Sequence, residues 1–198
     1  MKIVYTFLAV TLANFIFSES LLFKNASVYT GNVDEVFEDH DIYVVNGKIV
    51  EINKDLDLSA DKIINAEGKV ITAGFISPYS HLGLVEINML AETRDDSSSV
   101  YSAGFSISQA FNPSSTLIPY NLNGGLTSAI STPSGNGLFS GLGSAFSLSG
   151  ENKSLLLKDL ALYGSIEAGG ESKAANLLLM EDIFELTRAF NGDLDKIQ

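Results

Sequence analysis

The sequence holds no cysteine and no tryptophan, only two histidines, and half as many basic residues (12) as acidic ones (24). Without cysteine there is no disulfide, no thiolate nucleophile and no zinc–cysteine cage, so the fold rests on its core alone. The formal charge of −12 repels phosphate backbones and anionic lipid, which sets nucleic acid aside as a partner. In a chain that is 45% hydrophobic, this acidity reads as solubility rather than disorder. With two imidazoles and no G-x-S-x-G elbow, a serine triad has no support.

A long apolar run is also missing. Ile3 to Phe17 is mostly apolar, but Thr6, Thr11 and Asn14 interrupt it, and it falls short of the about 20 residues a spanning helix needs. Lys2 gives it a positive start, and Ser18-Glu19-Ser20 puts small residues at the −3 and −1 positions of a cleavage site. Residues 1–20 therefore read as a secretory signal, and the chain is expected to be exported, periplasmic or extracellular, with no membrane association after cleavage. Losing Lys2 and Glu19 leaves the charge at −12. Asn25-Ala26-Ser27 and Asn152-Lys153-Ser154 match the glycan acceptor pattern, which matters only in a glycosylating host.

Beyond residue 20 the chain turns β-rich. Leu21 to Tyr29 carries β-branched and aromatic residues and ends at the turn cluster Thr30-Gly31-Asn32. In Asp41 to Ile52, two apolar runs flank Asn46-Gly47, a pair that tolerates positive φ at both centres of a type I′ hairpin. Ile63-Ile64-Asn65 and Val70-Ile71 flank Glu67-Gly68 and read as a second short pair. Together these predict a small sheet or sandwich over residues 21–72.

The character changes at residue 73. Gly74 to Ser80 is a short apolar run stopped by Pro78, as for a buried strand opening into a loop. Residues 92–116, rich in Ser, Asn and Asp, predict a surface loop with short helical pieces, in which Glu92, Asp95 and Asp96 are solvated charge. Gly124 to Thr132 is a second strand, Leu138 to Leu148 is glycine-punctuated strand or loop, and Leu155 to Ile166 fits strand or helix. Ser172 to Asn191 predicts a helix capped by Ser172, with Leu177, Met180, Phe184 and Thr187 at helical spacing and Gly192 as its stop. The glycines of Pro133 to Phe146 match neither G-x-G-x-x-G nor a phosphate loop and read as flexible turns. No fixed-period repeat occurs.

The order of these pieces resembles the amino terminus of the amidohydrolase superfamily, the imidazolonepropionase-like and dihydroorotase-like metal-dependent hydrolases. The resemblance rests on Asn46-Gly47-Lys48-Ile49 at the hairpin, Ala66-Glu67-Gly68-Lys69 at the linker, and Gly74-Phe75-Ile76 at the entry to the first barrel strand. Gly124-Gly125-Leu126-Thr127 resembles the core of the second-strand region. It implies an α/β chain: composite β-sandwich strands over 21–72, then over 73–198 the first strands and helices of an incomplete (β/α)8 TIM-like barrel. It also implies hydrolysis of non-peptide C–N bonds by a metal-activated water.

The family pattern places an aspartate and a His-x-His pair at the end of the first barrel strand. Here Ser77 stands at the aspartate position, Tyr79 at the first histidine and His81 at the second, while His40 lies in the acidic segment Glu38 to Asp41, where a surface loop is expected. His81 is then a vestigial metal ligand or a hydrogen-bonded residue at a barrel rim, and Tyr79 and Ser80 contact a ligand or, for Tyr79, simply pack. A catalytic zinc uses three protein ligands and an open position. A divalent metal such as zinc is therefore implied by the resemblance but not expected to be retained, and no residue is assigned a catalytic role. The chain alone is expected to be inactive, as a fragment, half of a split protein, or a degenerate branch. The alternative is a non-catalytic binding or assembly module. The open barrel edge is then closed by a second chain, by a second copy, or not at all, and a bare edge would be an aggregation hazard.

Overall fold

The computed structural model describes residues 19–32, 35–135, 137–150 and 154–190. Residues 1–18 of the expected 1–20 signal, Asn152 and the predicted helix stop at Gly192 lie outside them. The chain divides into two compact units, one up to Ala73 and one from Gly74.

The first unit is a five-stranded sheet of β1 (Ser20–Tyr29), β2 (Val36–Val45), β3 (Lys48–Asn53), β4 (Lys62–Asn65) and β5 (Val70–Thr72). It runs β3-β2-β1-β4, with β5 also on β1. Among the described residues this unit is a single sheet. The β2–β3 hairpin turns at Asn46 (φ 51°) and Gly47 (φ 72°), the two positive-φ centres that a type I′ turn requires. The second expected pair is corrected. β4 and β5 do not pair with each other; each pairs parallel with β1, Leu21 opposite Lys62 and Ser27 opposite Val70. The Ala66–Lys69 turn, closed by a 2.9 Å bond from the Lys69 N–H to the Ala66 carbonyl, jogs the chain along one edge of β1 instead of reversing it.

β1 begins at Ser20, whose N–H and hydroxyl both donate to Asp61 (2.8 and 2.6 Å). Ala26, Val28, Ile42 and Ala66 form this unit's core. Asp41 is wholly buried beside them and accepts from the Asn25 and Leu56 N–H groups (2.8 and 2.9 Å) and from Lys24 Nζ (2.6 Å). Asn25, at φ 61°, sits where the β1–β2 register shifts, and this bulge aims its N–H at the carboxylate. His40, expected in a loop, is instead in β2 opposite Ala26, with Nδ1 on the Glu38 carbonyl (2.8 Å) and its ring against Phe37.

The second unit holds a four-stranded sheet ordered β6 (Phe75–Ser80), β7 (Leu126–Ser131), β8 (Phe139–Ser147), β9 (Leu155–Gly164). β6 and β7 are parallel; β7–β8 and β8–β9 are antiparallel. The carboxyl ends of β6, β7 and β9 therefore share one end of the sheet. Pro78 does not stop β6, because β6 is an edge strand and its register slips between Ser77 and Ser80, where a missing N–H costs the ladder nothing. The ambiguous Leu155–Ile166 run is strand, and the glycine-rich run is not flexible turn from Phe139 onward but β8. Gly143 belongs to that strand because a Cβ there would run into the Tyr163 ring. The core gathers Leu84, Val85, Ile107 and Phe146, with Phe111 stacked on Phe146 at 3.9 Å, beside Ile118, Ala129 and Leu148.

Among the described residues two α-helices complete the unit: α1 (Leu117–Asn123), in the β6–β7 connection, and α2 (Lys173–Phe190). Ser172 Oγ accepts the Ala175 N–H at 3.1 Å, as its capping role predicts. The expected apolar stripe of α2 is not buried: Leu177 is 49% and Phe184 46% exposed. What anchors the helix is Asn176, whose Nδ2 donates to the Ile166 and Ala168 carbonyls (2.9 and 3.0 Å).

Candidate functional site

The shared carboxyl end of β6 and β7 is where the polar side chains converge. At the last residue of β6, the Ser80 carbonyl accepts from the Thr132 N–H (2.9 Å) and hydroxyl (3.2 Å), and Ser80 Oγ donates back to the Ile130 carbonyl (3.3 Å). These bonds lock the two strand ends together and project the next residue, His81. After it the chain goes out and returns: Val85 bridges Arg94, the Glu86 N–H donates to Thr93 and the Asp95 N–H to Leu84. This narrow excursion delivers Arg94 and Asp96 back to His81.

Asp96 is not solvated charge. It is wholly buried, gripped by Arg94 through Nε on Oδ1 (3.2 Å) and Nη2 on Oδ2 (2.8 Å), and by the Ser134 hydroxyl on Oδ2 (2.5 Å). Its carbonyl also accepts the Ser134 N–H at 2.7 Å. Burial pushes the carboxyl up, but the Arg94 fork and the Ser134 hydroxyl outweigh it and hold Asp96 below the ordinary carboxylate range. The correction has a simple cause: two residues apart on extended chain, Arg94 and Asp96 point the same way, so the carboxylate carries its own counter-ion into the interior.

His81 Nδ1 lies 3.0 Å from the Thr132 carbonyl and 3.8 Å from Asp96 Oδ2. Both neighbours are acceptors, which assigns a proton to Nδ1; in the neutral ring Nε2 then keeps its lone pair. No described residue bonds Nε2. Tyr79 stands edge-on to the imidazole at 5.7 Å and 6.1 Å from Tyr163, at the end of β9; the residue is 61% exposed. Ser77 Oγ is spent on the Tyr79 carbonyl (3.1 Å). The structure thus brings Tyr79, Ser80 and His81 together. It adds Asp96, expected in a solvated loop, and Arg94, Thr132 and Tyr163, which the sequence did not single out. The Arg94-x-Asp96 spacing was the available signal.

The donors here do not fit a catalytic zinc. His81 offers one nitrogen, both Asp96 oxygens are committed to Arg94 and Ser134, and Ser80 is committed to the strand ends. Among the described residues no group of three or more His, Asp or Glu side chains is placed to hold a metal.

The comparisons with known proteins bear on the same scaffold. No protein-family model matches the chain. A solved amidohydrolase from Thermotoga maritima superposes with a TM-score of 0.68 at 22% identity, over 88% of this chain. Over those residues the two chains share a fold. By sequence, 73 residues are 42% identical to a 5-methylthioadenosine/S-adenosylhomocysteine deaminase of Thermococcus sibiricus, and 52 residues are 38% identical to a 5'-deoxyadenosine deaminase of Methanobrevibacter smithii. These matches span 37% and 26% of this chain but 17% and 12% of the deaminases. The amidohydrolase-like region here corresponds to 49% of the solved Thermotoga chain.

Proposed function

We propose that this chain is the amino-terminal half of a C–N hydrolase, comprising a composite sandwich layer over 21–72 and the opening of an incomplete (β/α)8 barrel over 73–198. The observation that carries the reading is the parallel β6–β7 pair with His81 at its carboxyl end, the end at which barrel enzymes build their sites. The deaminase likenesses favour a hydrolase lineage over a non-catalytic module. They point to hydrolytic loss of an amine from an adenine-type nucleoside, in which water's oxygen replaces the nitrogen and ammonia leaves. Residues 19–190 contribute a polar rim and one oriented imidazole; the groups that activate water come from elsewhere in the assembled protein. Export under the 1–20 signal belongs to the same reading, and cleavage after Ser20 would remove that residue's three hydrogen bonds with Asp61.

The test compares the purified 198-residue chain with the assembled protein recovered from its host through a tag on this chain. Ammonia release from 5'-methylthioadenosine or S-adenosylhomocysteine is expected from the assembly alone, with zinc in the purified chain well below one equivalent. Turnover by the chain alone, stoichiometric zinc lost in His81→Ala, or an inert assembly would overturn the reading.

A further inference from the structure

Two stretches far apart in the chain meet at His81: the Thr132–Ser134 segment that follows β7, and the returning excursion that carries Arg94 and Asp96. Asp96 is where they join. Its carbonyl accepts the Ser134 N–H (2.7 Å) and its Oδ2 the Ser134 hydroxyl (2.5 Å). Asp96 thereby grips the segment whose Thr132 carbonyl lies 3.0 Å from His81 Nδ1. The same Oδ2 is itself 3.8 Å from Nδ1. A wholly buried carboxylate thus acts on the ring twice, through the backbone it holds and through its own charge. Nothing answers it at the other nitrogen. The His81 side chain is 34% exposed, and among the described residues no hydrogen bond reaches Nε2.

We infer that Asp96 is a positioning residue for His81: it keeps Nδ1 as the ring's donor and leaves Nε2 as the acceptor of the site, open to the O–H or N–H of a ligand. Arg94 makes this possible. A carboxylate alone in the interior would take up a proton, and a protonated oxygen would present a donor to Nδ1. With Nε on Oδ1 and Nη2 on Oδ2, the Arg94 fork keeps both oxygens as acceptors. The role differs from that of a metal ligand, for which one nitrogen without companion ligands is too little. It concerns hydrogen bonding and not turnover, so it goes beyond the hydrolase reading and stands if that reading fails.

Imidazole nitrogen NMR of the protein gives the tautomer directly, with His81 assigned by the signals missing from His81→Gln. It is read at about pH 8.5, above the ordinary imidazole range. Nδ1–H is expected in the native protein and in Arg94→Lys, which keeps the carboxylate and its counter-charge. In Asp96→Asn, Arg94 claims the amide oxygen and the amide nitrogen is left toward Ser134 and Nδ1, so the Nε2–H form should appear. Diethyl pyrocarbonate, which acylates an imidazole nitrogen through its lone pair, gives a second readout by peptide mass. Native His81 should react, and Asp96→Asn should react several-fold more slowly; mere loosening of the fold would speed the reaction instead. Asp41→Asn, at a buried carboxylate of the other unit, should move neither readout. A mixed or Nε2–H ring in the native protein, an unchanged tautomer or faster acylation in folded Asp96→Asn, or the same changes in Asp41→Asn would overturn the inference. So would protection of His81 from acylation by equimolar zinc. Should Asp96→Asn not fold, Arg94→Lys decides: a ring that stays Nδ1–H beside its carboxylate supports the assignment, and its loss overturns it.

Discussion

Removing Arg94 should strand a charge. Asp96 has no exposed surface and Arg94 supplies both its counter-charge and two of its three side-chain donors. Breaking a buried pair from one side costs about 3 to 5 kcal/mol. The Ser134 hydroxyl survives the change, and Arg94 is 29% exposed, so water reaches the vacated site. Arg94→Ala should therefore fall at the low end, about 3 kcal/mol, which at a urea slope of about 2 kcal/mol per molar lowers the midpoint by about 1.5 M.

The pH dependence separates this account from simple loss of packing. In the native protein Asp96 is held below its ordinary range, so the pair's contribution is constant from neutral pH to about pH 5 and is lost only as pH falls through the folded value. In Arg94→Ala, burial is no longer outweighed and the carboxyl moves up. A raised carboxyl destabilises the fold above the unfolded pKa of about 3.9 and ceases to do so below it. The gap between native protein and variant should then shrink as pH is lowered from 7 toward 4.5. Urea titrations followed by circular dichroism at several pH values measure it, with exchange of the Ser134 amide as the local readout. A gap under about 1 kcal/mol, or one unchanged between pH 7 and 4.5, would refute the buried-pair argument.

Asp41→Ala should cost about 3 kcal/mol in the first unit, because it removes a buried carboxylate and leaves Lys24 and the Asn25 and Leu56 N–H groups without their acceptor; faster exchange at those two amides is the measurement. Burial pushes Asp41 up, but Lys24 and the two N–H donors outweigh it and hold the carboxyl low, so this contribution stands at neutral pH and drains away as pH falls below about 4. Gly143→Val would drive a side chain into the Tyr163 ring and the Ser131 carbonyl, costing about 2 kcal/mol. Calorimetry should show a melting temperature several degrees lower, and an unchanged one would mean that β8 and β9 separate more easily than they pack here.

Local chemistry was legible in the sequence wherever one residue type dictates one geometry. Asn46-Gly47 marked the hairpin because few residues accept positive φ twice in succession, and Ser172 marked the start of α2 because its hydroxyl is the acceptor a first turn lacks. Placement was less legible wherever partners decide. Val70-Ile71 looks equally like a hairpin arm and a parallel edge segment; only β1, some forty residues earlier, settles it. The leucine-rich run from Leu155 has no clear period, and β8 makes it a strand. α1 went unread because Pro119 looks like a breaker, yet it sits in the first turn, where its missing N–H has no partner to lose.

The candidate site shows the same division, and it explains why half of it is finished. Every polar contact on the side of Arg94 and Asp96 is made within the chain: no described side-chain polar atom that is buried lacks a partner. Those residues lie within fifteen positions of His81, so the excursion that delivers them is local and the chain completes it unaided. The opposite side, with the Nε2 of His81, the exposed Tyr79 and the leucines of β9, has no such local supplier. An imidazole whose Nδ1 is pinned by a carbonyl and a buried carboxylate is oriented at some cost in rotamer freedom. Among the described residues that orientation leaves Nε2 unbonded, beside the exposed Tyr79.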